Sequence, residues 1–265
     1  MNVYEGGTAA SLHVEHAGSG PPVVLIHAGV ADSRMWDPQW ETFPRSHRTV
    51  RFDQRGYGRS PLEPGVISHA RDLVELLDTV GLERTALVGG SLGGRVALEV
   101  AVAQPDRVEK LVLLNPGLPG HEWSEEVRAG WEEEEAALDR GDLEAAVEVN
   151  LRMWFDGPRR SADEVDPVQR ARVGEMQRRA LEVQVPVGDD VREEPLVPDL
   201  ADRLGEVRAP TLVVVGEEDA ADIHAIAGRL VREIPDARRA PMPGAHVASL
   251  EHPDEFDRIV LEFLS

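Results

Sequence analysis

The run Gly89-Gly90-Ser91-Leu92-Gly93-Gly94 holds a serine between glycines in the G-x-S-x-G pattern. It follows an apolar stretch, Thr85 to Val88, and opens a helical pattern from Leu92 to Gln104. A strand that turns directly into a helix strains its central residue and brings neighbouring backbone close, so side chains at Gly89 and Gly93 would clash. Ser91 is thereby held above the sheet as a nucleophile. The helix start behind it offers free N–H groups and a positive dipole end to a developing oxyanion. A phosphate cradle is the competing use of such a junction. No Gly-Lys-Ser/Thr follows, however, and Gly56-Tyr57-Gly58 has Pro61 where a dinucleotide fingerprint needs its third glycine.

A serine hydroxyl is a weak nucleophile and needs a base that is itself oriented by a third group. The chain has nine histidines. In open parallel sheets reactive groups gather beyond the carboxyl ends of strands, which favours His27 and His246 and leaves His13, His16, His47, His69, His121 and His224 as surface or packing residues. His246 is the base by this logic, in Pro243-Gly244-Ala245-His246; its alternative is His252, which precedes Pro253 at a helix start. The acid is Asp219, in Gly216-Glu217-Glu218-Asp219 after the run TLVVV. Asp222, Glu217 and Glu218 are its alternatives, because helix starts attract carboxylates in any case. Asn115, after the run ending at Leu114, is neutral and cannot stabilise an imidazolium by charge. The order Ser91, Asp219, His246 is the one expected with this turn.

These residues must be positioned by a sheet. Short apolar runs alternate with helical patterns, which predicts a mostly parallel α/β sheet covered by helices on both faces. Strands are expected at Pro22–His27, Thr49–Asp53, Thr85–Val88, Lys110–Leu114, Pro210–Gly216 and near Arg238–Met242. Helices are expected at Ser68–Val80, Leu92–Gln104, Ala221–Glu233 and Pro253–Leu264. After Pro116-Gly117-Leu118-Pro119-Gly120 the strands disappear and helical spacing takes over through Glu122–Asp139 and Leu143–Trp154. The expected organisation is a core of residues 1–116 and 207–265, interrupted by a helical cap at 117–206.

Composition narrows the chemistry. The 265 residues include no cysteine, which excludes disulfides, thiolate nucleophiles and iron–sulfur ligation, and no metal site is expected. Acidic residues outnumber Lys and Arg 49 to 28, a formal charge of −21, so phosphate backbones and anionic lipid surfaces are repelled and no nucleic-acid or membrane partner is expected. The inserted segment alone carries 24 acidic and 11 basic residues, a formal −13. Neither a signal-like start nor a membrane-length apolar run is present, so a cytoplasmic location is the default, and a homo-oligomer is left open.

With these residues in view the chain resembles an α/β-hydrolase fold enzyme with a helical cap, across nearly its whole length. Besides the serine turn, LIHAGVADSRMW resembles the family's oxyanion loop, FDQRGYGRS its following strand and loop, and PGAHVASLEHPDEF its histidine loop. The strongest likeness is to small serine carboxylic-ester hydrolases and 3-oxoadipate enol-lactonases. The resemblance implies a cofactor-independent hydrolase of a small-molecule ester or lactone, acting through an acyl-enzyme with the triad Ser91, His246 and Asp219. It places the oxyanion donors at the backbone N–H groups of Leu92 and Gly29. Where the family usually has glycine after the oxyanion-loop histidine this chain has Ala28, which leaves Val30 as the alternative to Gly29. His27 would then fix the loop.

The inserted helices concentrate Trp123, Trp131, Met153, Trp154 and Phe155. Some must glue cap to sheet. Trp123, Met153 and Trp154 are the candidates for lining a substrate pocket. Carbon–carbon bond hydrolases and thioesterases use the same turn, and a hydrolase-derived binding protein without turnover would keep it, so these are the alternatives.

Overall fold

A computed structural model describes residues 2–3 and 12–265. The first half of the chain forms β1 (Asn2–Val3), β2 (Val14–Ala17), β3 (Pro22–Ile26), α1 (Asp37–Thr42), β4 (Arg48–Phe52), β5 (Gly65–Ile67), α2 (His69–Thr79), β6 (Thr85–Gly90), α3 (Leu92–Ala103) and β7 (Val108–Leu114). Then come α4 (Glu125–Asp139), α5 (Leu143–Asn150), a π-helical turn at Leu151–Asp156, α6 (Pro167–Gln184) and β8 (Val191–Glu193). The chain closes with β9 (Thr211–Gly216), α7 (Ala221–Glu233), β10 (Ala237–Met242), α8 (Ala248–Glu251) and α9 (Pro253–Leu264).

Eight strands make one sheet in the order β1-β2-β4-β3-β6-β7-β9-β10. Pairing is parallel from β4 to β10, while β2 joins β4 and β1 joins β2 in antiparallel fashion. The central strands are covered on both faces, which is why they read as continuous apolar runs without alternation. Every residue of TLVVVG in β9 and of TALVGG in β6 is buried. Register then aligns the carboxyl ends: Ile26 lies opposite Gly89, Gly90 opposite Leu114, and Gly216 opposite Met242. The loops that begin at His27, Ser91, Asn115, Glu217 and Pro243 therefore leave the sheet along one edge.

The segment between β7 and β9 is mainly helical, with one difference from the sequence expectation. Strands do not vanish from it: Val191–Glu193 pairs in parallel with Gly65–Ile67 as a separate two-stranded sheet. Helix α6, which the apolar spacing had not marked, starts at an Asp166 cap followed by Pro167 and buries Val173, Met176, Ala180 and Leu181 between arginines. It is tied to the core by Arg179, whose Nε donates to Gly58 O at 3.0 Å, and by Gln184, whose Nε2 donates to Gly56 O at 3.1 Å. Among the described residues no helix is long and apolar enough to cross a membrane.

Candidate active site

Ser91 joins β6 to α3 with φ 50° and ψ −110°, a conformation that non-glycine residues rarely adopt. Its neighbours show why the turn needs glycine. A Cβ at Gly89 would stand 2.3 Å from Gly93 O, and one at Gly93 would stand 2.3 Å from Ile26 O. The backbone thus closes against itself and against β3, and Ser91 is driven out at the sheet edge.

His246 faces this edge from the loop after β10, and its Nδ1–H donates to Asp219 Oδ2 at 2.7 Å. Both side chains are buried, and the second carboxylate oxygen of Asp219 accepts the Ala220 N–H at 2.7 Å. The Asp219 bond orients the imidazole with Nε2 left for a proton acceptor's role. The alternatives lie elsewhere. His252 is exposed and outside the cavity that Ser91 lines. Asp222 accepts from His121 Nε2 at 3.0 Å and from the Ser124 N–H at 2.8 Å. Burial would raise the Asp222 pKa, but these hydrogen bonds bring it below the ordinary value. Glu218 accepts the Gly244 N–H at 2.7 Å, while Glu217 is exposed.

Asn115 was set aside on charge, yet it holds the two loops together. Its Nδ2 donates to Ala245 O and to His246 O, each at 2.9 Å, and its Oδ1 accepts the Gly216 N–H at 2.8 Å. It is fully buried with φ 45°, a left-handed conformation that asparagine tolerates better than most residues. An amide supplies donors and an acceptor at once, which a carboxylate cannot. Asn115→Ala is expected to lower unfolding stability by about 3 kcal/mol, roughly 1 kcal/mol for each lost bond. Urea unfolding measures it, and a loss under about 1 kcal/mol would show the clamp to be dispensable.

The loop after β3 supplies the opposite wall. His27 Nδ1–H donates to Ala28 O at 2.8 Å, and its Nε2 accepts the Gln54 N–H at 2.9 Å. Complete burial pushes its pKa down, so it stays neutral and anchors the loop. Asp53 accepts the Ser33 N–H at 2.8 Å and the Arg59 N–H at 2.9 Å, and a Cβ at Gly58 would strike it at 2.4 Å. That contact explains the glycine in FDQRGYGRS. Among the described residues the N–H groups of Gly29 and Val30 have no acceptor. Leu92 opens α3, where the N–H has no partner a turn earlier. A Cβ on Gly29 would lie 3.6 Å from Leu92 Cβ, so the two residues are neighbours.

Gly29, Val30, Ser91, Leu92 and His246 line one cavity of about 450 Å³. The helical segment contributes Trp123, Trp131 and Trp154 to its lining. Trp123 packs edge-on against Trp131 and Trp154 at centroid distances of 5.2 and 6.5 Å, and Trp154 lies 4.5 Å from the His246 ring. Met153, named with Trp123 and Trp154 as a pocket candidate, lines a neighbouring cavity rather than this one, with its Sδ 2.2 Å from where a Gly130 Cβ would stand. Arg95, which also lines the Ser91 cavity, is held by Glu99 at 3.1 Å and Glu193 at 2.6 Å. Among the described residues no group of three or more His, Asp or Glu side chains is arranged to hold a metal ion.

A parallel sheet whose strand ends present a strained serine turn and a buried His–Asp pair is the arrangement of α/β hydrolases. The chain belongs to the alpha/beta hydrolase fold family, whose model matches residues 21–253. It is 31% identical to a Variovorax paradoxus protein named carbamate hydrolase RutD, over 96% of this chain and 96% of that one. It is 30% identical to the 2-hydroxy-6-oxononadienedioate/2-hydroxy-6-oxononatrienedioate hydrolase of Paraburkholderia phymatum, over 100% of this chain and 94% of the relative. The enol-lactonase of Burkholderia xenovorans LB400 superposes with a TM-score of 0.79 at 25% identity, covering 96% of each chain.

Proposed function

We propose that this hydrolase is a cofactor-independent serine enzyme that cleaves a carboxylic ester or lactone of a small molecule. Residues 117–206 act as its cap. The reading rests on one observation: His246, held by the buried Asp219, and the strained Ser91 line one apolar cavity. Ser91 Oγ attacks the carbonyl carbon while His246 Nε2 takes its proton. The oxyanion forms against the N–H groups of Leu92 and Gly29, and collapse expels the alcohol with the proton from His246. Water then repeats the sequence on the acyl-enzyme and releases the acid. A panel of short acyl esters, a thioester and an enol lactone tests this, run with a serine-reactive phosphonate. Turnover of none of them, or labelling away from Ser91, would overturn it.

The relative that hydrolyses a dioate favours a second reading, hydrolysis of a carbon–carbon bond in an anionic substrate by the same residues. Charge separates the two. The chain carries a formal −21, and Arg95, the arginine that lines the Ser91 cavity, is already engaged by two carboxylates. At low salt, neutral short-chain esters are therefore expected to show higher kcat/KM than an anionic enol lactone. Added salt should raise only the anionic rate, because the Debye length shrinks to about 10 Å at 0.1 M. A salt series on matched substrates reads this. An anionic preference that weakens with salt would instead mean that Arg95 leaves its glutamates to clamp a carboxylate.

A further inference from the structure

Beside the Ser91 cavity lies a second one of about 410 Å³ that the proposed chemistry does not use. Val127, Ala129, Gly130, Met153, Pro158 and Ala220 give it an apolar side, and Glu126, Glu133, Arg152 and Arg160 give it a charged one. Its arginines are already paired, Arg152 with Glu133 of the same lining and Arg160 with Glu251, so they do not call for a charged ligand. Trp154 is the one residue that lines both cavities. Its ring is almost fully buried, between the His246 ring on one side and Trp123 on the other. Its backbone is fixed independently of that ring, because the His246 N–H donates to Trp154 O at 3.2 Å. The π-helical turn places Met153 on the second cavity and Trp154 at the junction of the two. Such turns occur frequently at functional positions.

We propose that the second cavity is a subsite for the far end of a linear alkyl chain, shut off from Ser91 by the Trp154 side chain, and that Trp154 sets the length of acyl chain the enzyme accepts. The proposal rests on the ester-hydrolase reading. Shortening Trp154 joins the two spaces, and a chain too long for the first then continues into the second. Burying about two further methylenes, at about 0.8 kcal/mol each, corresponds to roughly a tenfold gain.

The test compares kcat/KM for p-nitrophenyl octanoate and butyrate in the wild type and in Trp154→Ala. The octanoate-to-butyrate ratio is expected to rise about tenfold, and by less in Trp154→Leu, which serves alone if the alanine variant does not fold. Adding Val127→Phe, which fills the second cavity, should return the ratio to the wild-type value. An unchanged ratio in the Trp154 variants, or a gain that survives Val127→Phe, would overturn the subsite. Labelling rates of octyl and butyl phosphonates at Ser91 read the same ratio without turnover. If wild type takes the label but hydrolyses no ester, the reaction is misassigned, while the labelling ratio still decides the subsite.

Discussion

Ser91→Ala is expected to abolish ester turnover, with kcat falling on the order of 10⁶-fold, the loss typical when the nucleophile of such a triad is removed. The fold should survive. The strained backbone at φ 50° already carries a Cβ in the wild type, so alanine adds no steric demand, and the neighbours that close the turn are Gly89 and Gly93. Stability is expected to change by about 0.5 kcal/mol or less. Active-site titration with the phosphonate together with urea unfolding separates the two quantities. A variant that folds and still turns over esters near the wild-type rate would remove Ser91 as the nucleophile. One that fails to fold would show that the hydroxyl is needed to hold the turn.

Much of this arrangement was legible because it depends on patterns that the chain repeats locally. Fully buried parallel strands must be apolar throughout, so PVVLI and TLVVV mark themselves. The serine turn also marks itself, because two close backbone approaches demand glycine at fixed positions. What stayed hidden lacked such periodicity. Strands β5 and β8 are three-residue, largely exposed pieces that pair with each other across the sequence, and nothing in GVI or VRE announces a partner. Helix α6 is arginine-rich with few buried positions, although Asp166-Pro167 was a usable start signal. The clamp made by Asn115 stayed hidden for a different reason. It was weighed as a charge, whereas its contribution is three hydrogen bonds to loops that lie about a hundred residues or more along the chain.

Asp219→Asn is expected to lower kcat by on the order of 10³- to 10⁴-fold while leaving the fold in place. The carboxylate does two things at its 2.7 Å contact with His246 Nδ1. It accepts a hydrogen bond from Nδ1–H, which leaves Nε2 free to take the serine proton, and its negative charge stabilises the imidazolium that forms. An amide can turn its NH₂ toward Nδ1 and so favour the other tautomer, with Nε2 already protonated and unable to act as base. It brings no charge in either orientation. Asp219 Oδ1 also accepts the Ala220 N–H at 2.7 Å, and an asparagine that keeps this bond with its carbonyl oxygen must point its NH₂ at the imidazole. The backbone therefore selects the damaging orientation. Asp222→Asn is the comparison, because Asp222 joins α7 to Ser124 and His121 rather than to the imidazole of His246. It should reduce stability by about 1 kcal/mol and kcat by no more than a few-fold. Single-turnover kinetics and urea unfolding on both variants measure the contrast. If Asp222→Asn proved the costlier for kcat, the carboxylate that serves His246 during turnover would be the one at the start of α7, and the Asp219 contact would be structural alone.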